Sequence, residues 1–195
     1  MDRAATARLG SWGESPDRKP LILRGARQVG KTWLVRDLAT RRRRDLVELN
    51  FERDPRLARH FATPDPRHIL GELSLALGRD VTAERSLLFL DEIQEAPAVI
   101  ARLRWFAEEL PALPVIAAGS LLDFALREHV HSMPVGRVSF FHIEPLGFDE
   151  YLRAHGEARL LGRLVAWRPS EPWSAAAHER AMEWHRRYAM VGGMP

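Results

Sequence analysis

Gly25-Ala26-Arg27-Gln28-Val29-Gly30-Lys31-Thr32 is a complete GxxxxGKT octet, and no other stretch of the chain restricts the fold as tightly. Its two glycines let the backbone take conformations closed to other residues, so successive N–H groups can turn inward on an anion. Lys31 adds a compact point charge on a flexible stem, and Thr32 adds a hydroxyl. Such a loop works between a buried strand and the N-terminus of a helix, whose positive end then faces the same anion. Both flanks are present. Pro20-Leu21-Ile22-Leu23 is a short apolar run, and Trp33 to Ala39 carries apolar residues at helical spacing. The choice of lysine is itself selective, because 27 of the 29 basic residues are arginine.

Four further apolar runs follow, alternating with helical stretches: Leu46 to Leu49, Leu87 to Leu90, Val115 to Ala118 and Val138 to Ile143. Helical periodicity spans Ile69 to Leu77, Ala98 to Leu110 (with Pro97 well placed to start it) and Leu121 to Arg127. The alternation predicts an α/β chain, a five-stranded parallel sheet between two helical layers. A short helix over Phe148 to Leu152 closes this unit. Residues 156–172 read as a loop, broken by Arg168-Pro169 and Glu171-Pro172, and a helix follows from Ser174, a plausible N-cap, to Met190. The expected organisation is an N-terminal extension (1–18), a phosphate-loop domain (19–153), and a linker with the start of a helical lid (154–195). The ending Gly192-Gly193-Met194-Pro195, directly after a helix, reads as a truncation.

Composition narrows the chemistry. A hydrophobic content of 46% supports a sizeable core. The absence of cysteine excludes disulfides and thiolate metal sites, and the eight histidines are scattered, which leaves Mg²⁺ held with a nucleotide as the metal chemistry to expect. No apolar run has membrane-spanning length and no signal-peptide core opens the chain, so the expectation is a cytoplasmic protein without a membrane partner. Net charge is only +3, which permits a nucleic-acid partner without pointing to one. The single concentrated basic run, Arg41 to Arg44, reads as a solvated connection rather than a phosphate-backbone contact.

The third apolar run continues into Asp91-Glu92, giving LLFLDE. A buried strand beside the octet would leave both carboxylates at its C-terminal end, where open α/β sheets bind ligands. There Asp91 can hold Mg²⁺ together with Thr32, and Glu92 can take a proton from an attacking water. Ser120 ends the fourth strand; its hydroxyl either orients that water and contacts the γ-phosphate or caps the next helix. Arg137, just before the fifth strand, is the candidate for charge stabilisation of the γ-phosphate, within one subunit or across to a neighbour, and Arg127 is a second candidate. The candidate nucleotide-binding residues are therefore Gly25, Ala26, Arg27, Gln28, Val29, Gly30, Lys31, Thr32, Trp33 and Asp91, with Arg27 and Gln28 entering through their backbone. Lys31, Glu92, Ser120 and Arg137 are the candidate catalytic residues.

RGARQVGKT, LLFLDEIQ, AAGSLLDFAL, PVGRVSFFHIEPLGFDEYL and the terminal GGMP together resemble the AAA+ superfamily of P-loop ATPases. More narrowly, they resemble its bacterial and archaeal group in which the ATPase domain precedes a C-terminal domain of unknown function. The resemblance covers Lys19 to Leu152 well and GGMP more loosely. It implies a Walker A loop at Gly25 to Thr32, a Walker B strand at Leu87 to Glu92, a sensor-like Ser120, and an adenine contact at Gly193 and Pro195. The function to expect is Mg²⁺-dependent ATP hydrolysis coupled to a partner, protein or DNA, with a homo-oligomer possible. The alternative is a nucleotide-regulated binding module with negligible turnover. A small-molecule kinase fits less well, because Asp91-Glu92 pairs a metal ligand with a water activator and no acceptor site follows.

Overall fold

Ser86–Asp91 (β3) is buried along its whole length, and its side chains divide by parity. Leu87 and Phe89 enter one apolar cluster, whereas Leu88 and Leu90 enter another. Successive side chains of a strand point to opposite faces, so a continuous apolar run needs cover on both sides of the sheet. The other strands are Leu21–Arg24 (β1), Asp45–Asn50 (β2), Val115–Ala118 (β4) and Ser139–His142 (β5). All pairs are parallel, in the order β2-β3-β4-β1-β5, which places the fourth strand between the first and third. This computed structural model describes residues 3–119, 134 and 136–194. The expected helix over Leu121 to Arg127, together with Ser120 and Pro195, lies outside the described residues.

Two helices cover one face. Ala4–Glu14 (α1) contributes Leu9, and Lys31–Arg41 (α2) contributes Leu34, Val35 and Leu38, against Leu21, Leu23, Phe89 and Ile116. Pro66–Leu77 (α3) and Pro97–Glu109 (α4) cover the other face with Ile69, Leu73, Val99 and Leu103. The boundaries of α3 follow from local chemistry. Asp65 accepts hydrogen bonds from the N–H groups of Arg67 (2.8 Å) and His68 (3.4 Å), Pro66 opens the first turn, and Gly78 ends it at φ +63°. Pro97 opens α4 in the same way.

The N-terminal extension contains α1, which packs on α2 and buries Leu9 to 1% exposure. One sequence expectation is corrected. The loop expected over 156–172 contains a helix, Ala158–Ala166 (α6), between Phe148–Ala154 (α5) and Ala175–Val191 (α7). Leu160, Leu161 and Leu164 form one helical face there, and the prolines break the chain only from Pro169 onward. These three helices gather a third cluster around Tyr151, Leu152, Leu160 and Trp184. Ser174 stands at the N-cap of α7, but its side chain makes no capping bond. The arginine run is a surface connection, as expected, with Arg41, Arg42 and Arg43 exposed and several of its guanidinium groups paired. Arg41 pairs with Asp37 (2.7 Å), Arg42 with Glu14 (2.5 Å) and the Gly10 carbonyl (2.9 Å), and Arg44 donates to the carbonyls of Ala83 (3.2 Å) and Glu84.

Candidate nucleotide site

The loop between β1 and α2 is held in a shape that few residues could adopt. Gly25 has φ +138°, and a Cβ there would stand 2.2 Å from the Ile143 carbonyl oxygen. Gly30 has φ +89°, and Gln28 takes φ +62° although it carries a side chain. The turn leads directly into α2, which begins at Lys31. Among the described residues no backbone hydrogen bond to a protein carbonyl engages the N–H groups of Gln28 to Trp33, which suits a loop that receives an anion. Lys31 is buried (7% exposed), and its ammonium donates to the carbonyls of Gly25 (2.9 Å) and Ala26 (2.7 Å). Burial lowers the Lys31 pKa; Glu92 and Asp91 act against that, and Arg27 adds to it.

β3 delivers the acidic pair to the same place. Thr32 donates through Oγ1 to Asp91 Oδ2 at 3.4 Å, which joins the octet to the strand end. Asn50, in register with Asp91 on β2, donates to the same oxygen at 3.2 Å. Burial, then the neighbouring Glu92 charge, push the Asp91 carboxyl above its usual range, opposed by the Asn50 amide and the Glu92 N–H. Glu92 takes φ +50°, an uncommon conformation for a side-chain-bearing residue, and accepts a 2.7 Å hydrogen bond from the Gln94 amide. A cleft of about 780 Å³ opens at this sheet edge, lined by Arg3, Arg27, Lys31, Trp33, Asp91 and Glu92, among others. Arg27 also pairs with Glu52 at 3.7 Å, and Trp33 is 40% exposed. Val29 turns its side chain wholly into the core, so its contribution to the cleft is backbone alone.

Arg137 is not part of this assembly. β5 runs parallel to β1 with Ser139 opposite Leu21, so Arg137 sits at the sheet edge away from the octet. The four-residue strand between them spans about 13 Å. There Arg137 donates to Glu108 at 2.7 Å and, with Arg104, holds the Glu108 carboxyl below its usual range. Of the two roles weighed for it, within one subunit or across to a neighbour, this position speaks against the first. Three residues at the site escaped the sequence reading. Asn50 had a weak signal as the polar end of an apolar strand, Gln94 lay in the quoted LLFLDEIQ without a role, and Arg3 had none among so many arginines.

Among the described residues no three His, Asp or Glu side chains gather into a site of their own, whereas the Thr32 hydroxyl and the Asp91 carboxylate converge. Also among the described residues, no helix is long and apolar enough to cross a membrane. No curated protein matches the chain. The solved structure of a Walker-type ATPase of Pyrococcus abyssi is similar across 100% of this chain, with a TM-score of 0.56 and 18% identity. This chain spans 64% of that one. The AAA domain family matches residues 17–152, and with the loop, the acidic strand end and the 2-3-4-1-5 sheet in hand, the chain belongs to that family of P-loop ATPases.

Proposed function

We propose that this chain binds ATP with Mg²⁺ and hydrolyses it. The observation that carries the reading is the convergence of the octet and the acidic pair in one cleft, with Thr32 and Asp91 joined at 3.4 Å. The N–H groups of residues 28–33 and the Lys31 ammonium receive the phosphates once Lys31 leaves the carbonyls of Gly25 and Ala26. Thr32 and Asp91 would hold Mg²⁺, which supplies charge neutralisation on the phosphate oxygens when bound. Glu92 orients a water and accepts its proton, and Gln94 sets where its carboxylate rests. Asn50 and Thr32 keep Asp91 directed at the metal position. Ser120 remains a proposed γ-phosphate or water contact. A contact from Arg137 to the γ-phosphate belongs, on this geometry, to a neighbouring copy in an oligomer.

The test is single-turnover phosphate release alongside equilibrium nucleotide binding. Lys31→Ala is expected to lose ATP binding, whereas Glu92→Gln is expected to retain ATP and stop turnover. Normal phosphate release by Glu92→Gln removes Glu92 as the base. The Gln94 to Glu92 hydrogen bond favours a second reading, in which ATP locks a conformation that recruits a protein or DNA and the base stays parked. In that case the wild-type chain binds ATP without releasing phosphate until the partner is added.

A further inference from the structure

Arg3 precedes α1, outside every motif, yet it is one of the few buried charged residues, at 5% exposure. Its guanidinium donates to the Val29 carbonyl inside the phosphate loop and to the Glu144 carbonyl at 2.7 Å, and it lies 3.6 Å from the Glu150 carboxylate. Glu150 in turn accepts from the N–H groups of Ala4 (2.8 Å) and Gly147 (3.1 Å). A buried guanidinium is costly to desolvate and persists only where its donors meet acceptors. Here the acceptors come from two segments far apart in sequence, the loop at Val29 and the stretch from Glu144 to Glu150, and only the Nε of Arg3 is left without a partner among the described residues.

The Val29–Gly30 peptide is planar and trans, so its carbonyl and its N–H point in opposite directions. Fixing the Val29 carbonyl fixes the Gly30 N–H. Gly30 lines the cleft, while the Val29 side chain is locked in the core at 0% exposure. We propose that Arg3 is the positioning residue of the phosphate loop: by holding the Val29 carbonyl it presets the Gly30 N–H for a phosphate oxygen of a nucleoside di- or triphosphate. The planar fork is what the task requires, since one arm takes Val29 and the other takes Glu144. The assignment rests on the nucleotide reading of the cleft. Arg3 acts through the loop backbone, and Glu150 anchors it.

The experiment compares the wild-type chain with Arg3→Lys, Arg3→Met and Glu150→Gln in two measurements. Amide hydrogen exchange of peptides covering residues 25–33 reports the loop without nucleotide, and calorimetric Kd values for ATP and ADP report binding. Arg3→Lys keeps the charge and loses the fork; loop exchange is expected to quicken and both Kd values to weaken, each about tenfold, with the sheet strands as protected as before. Arg3→Met is expected to lose more, and in steady state KM rises more than kcat falls. Wild-type loop exchange and wild-type affinity in Arg3→Lys overturn the proposal. So does exchange that quickens equally throughout the sheet, which would make Arg3 a general structural residue. If the wild-type chain binds no ATP while Arg3→Lys still loosens the loop, the nucleotide reading falls and the anchoring by Arg3 stands.

Discussion

Replacing Gly25 by alanine tests whether the phosphate loop is pinned against the end of β5, and two other glycines separate the causes. Gly25 combines φ +138° with a would-be Cβ 2.2 Å from the Ile143 carbonyl oxygen. Gly78 has φ +63° with nothing within 4 Å, and Gly193 has the clash, 2.2 Å from the Leu146 carbonyl oxygen, without a positive φ. A left-handed φ alone costs alanine about 1 kcal/mol. At Gly193 the left-handed φ is absent, and relieving the contact loses the 2.6 Å hydrogen bond from the Leu146 N–H to the Gly193 carbonyl, again about 1 kcal/mol. At Gly25 neither escape is open. Ile143 is 1% exposed and its N–H donates to Arg24 at 2.8 Å, so moving its carbonyl disturbs both core and sheet. Strain together with overpacking puts Gly25→Ala at about 3 kcal/mol. With about 2–4 °C per kcal/mol for a chain of this size, the expected fall in Tm is about 6–12 °C, against about 2–4 °C for Gly78→Ala and Gly193→Ala. Differential scanning calorimetry of the three variants decides it. Equal shifts for Gly25→Ala and Gly78→Ala would mean that Ile143 yields freely and that the loop is not pinned.

Asp91 binds its proton more tightly folded than unfolded, so its carboxylate subtracts stability as pH rises from the ordinary aspartate range through the folded pKa, and the deficit is complete above that. Asp91→Asn is accordingly expected to raise the Tm of the nucleotide-free chain at pH 7, with the gain vanishing in acid, while Mg²⁺-dependent nucleotide affinity falls; a gain that persists at low pH would refute the linkage. Trp184→Ala empties the centre of the third cluster at a cost of about 3–5 kcal/mol, and hydrogen exchange should show α5 to α7 opening while β1 and β3 stay protected. Trp33, 40% exposed in the first turn of α2 and lining the cleft, should change its fluorescence on addition of ATP, and Trp33→Phe should abolish that change.

The parts of the site that were legible in the sequence are those whose chemistry is contiguous along the chain. The octet and LLFLDE each carry their own strand and their own polar ends, so their meeting at one sheet edge follows once the strands are parallel. Arg137 misled although its place was legible: in a parallel sheet that binds ligands at the C-terminal strand ends, a residue just before β5 lies at the opposite end. By contrast, Arg3 and Asn50 were illegible. Each works by touching a residue 26 or 41 positions away, and their local context is an ordinary helix start and an ordinary strand end. The helix at Ala158–Ala166 was hidden by the prolines that follow it, which weighed more in a composition reading than the leucine face itself.

Residues 143–150 bring those long-range contacts onto one strap. The Ile143 carbonyl leaves no room for a side chain at Gly25, the Glu144 carbonyl and the Glu150 carboxylate hold Arg3, and the Leu146 carbonyl takes the Tyr188 hydroxyl at 2.7 Å and leaves no room at Gly193. At both glycines a Cβ would meet a backbone carbonyl of the same short segment. Hydrogen bonds of about 1 kcal/mol could be exchanged for water with little net change, but a backbone that meets another at van der Waals distance cannot shift without displacing it. The strap's position is therefore set by contact from both sides, by the phosphate loop and by the C-terminal residues together. A displacement of Leu146 by α7 or by Gly193 must be taken up within three residues before it reaches the carbonyl beneath Gly25, a distance over which planar peptides leave few free torsions.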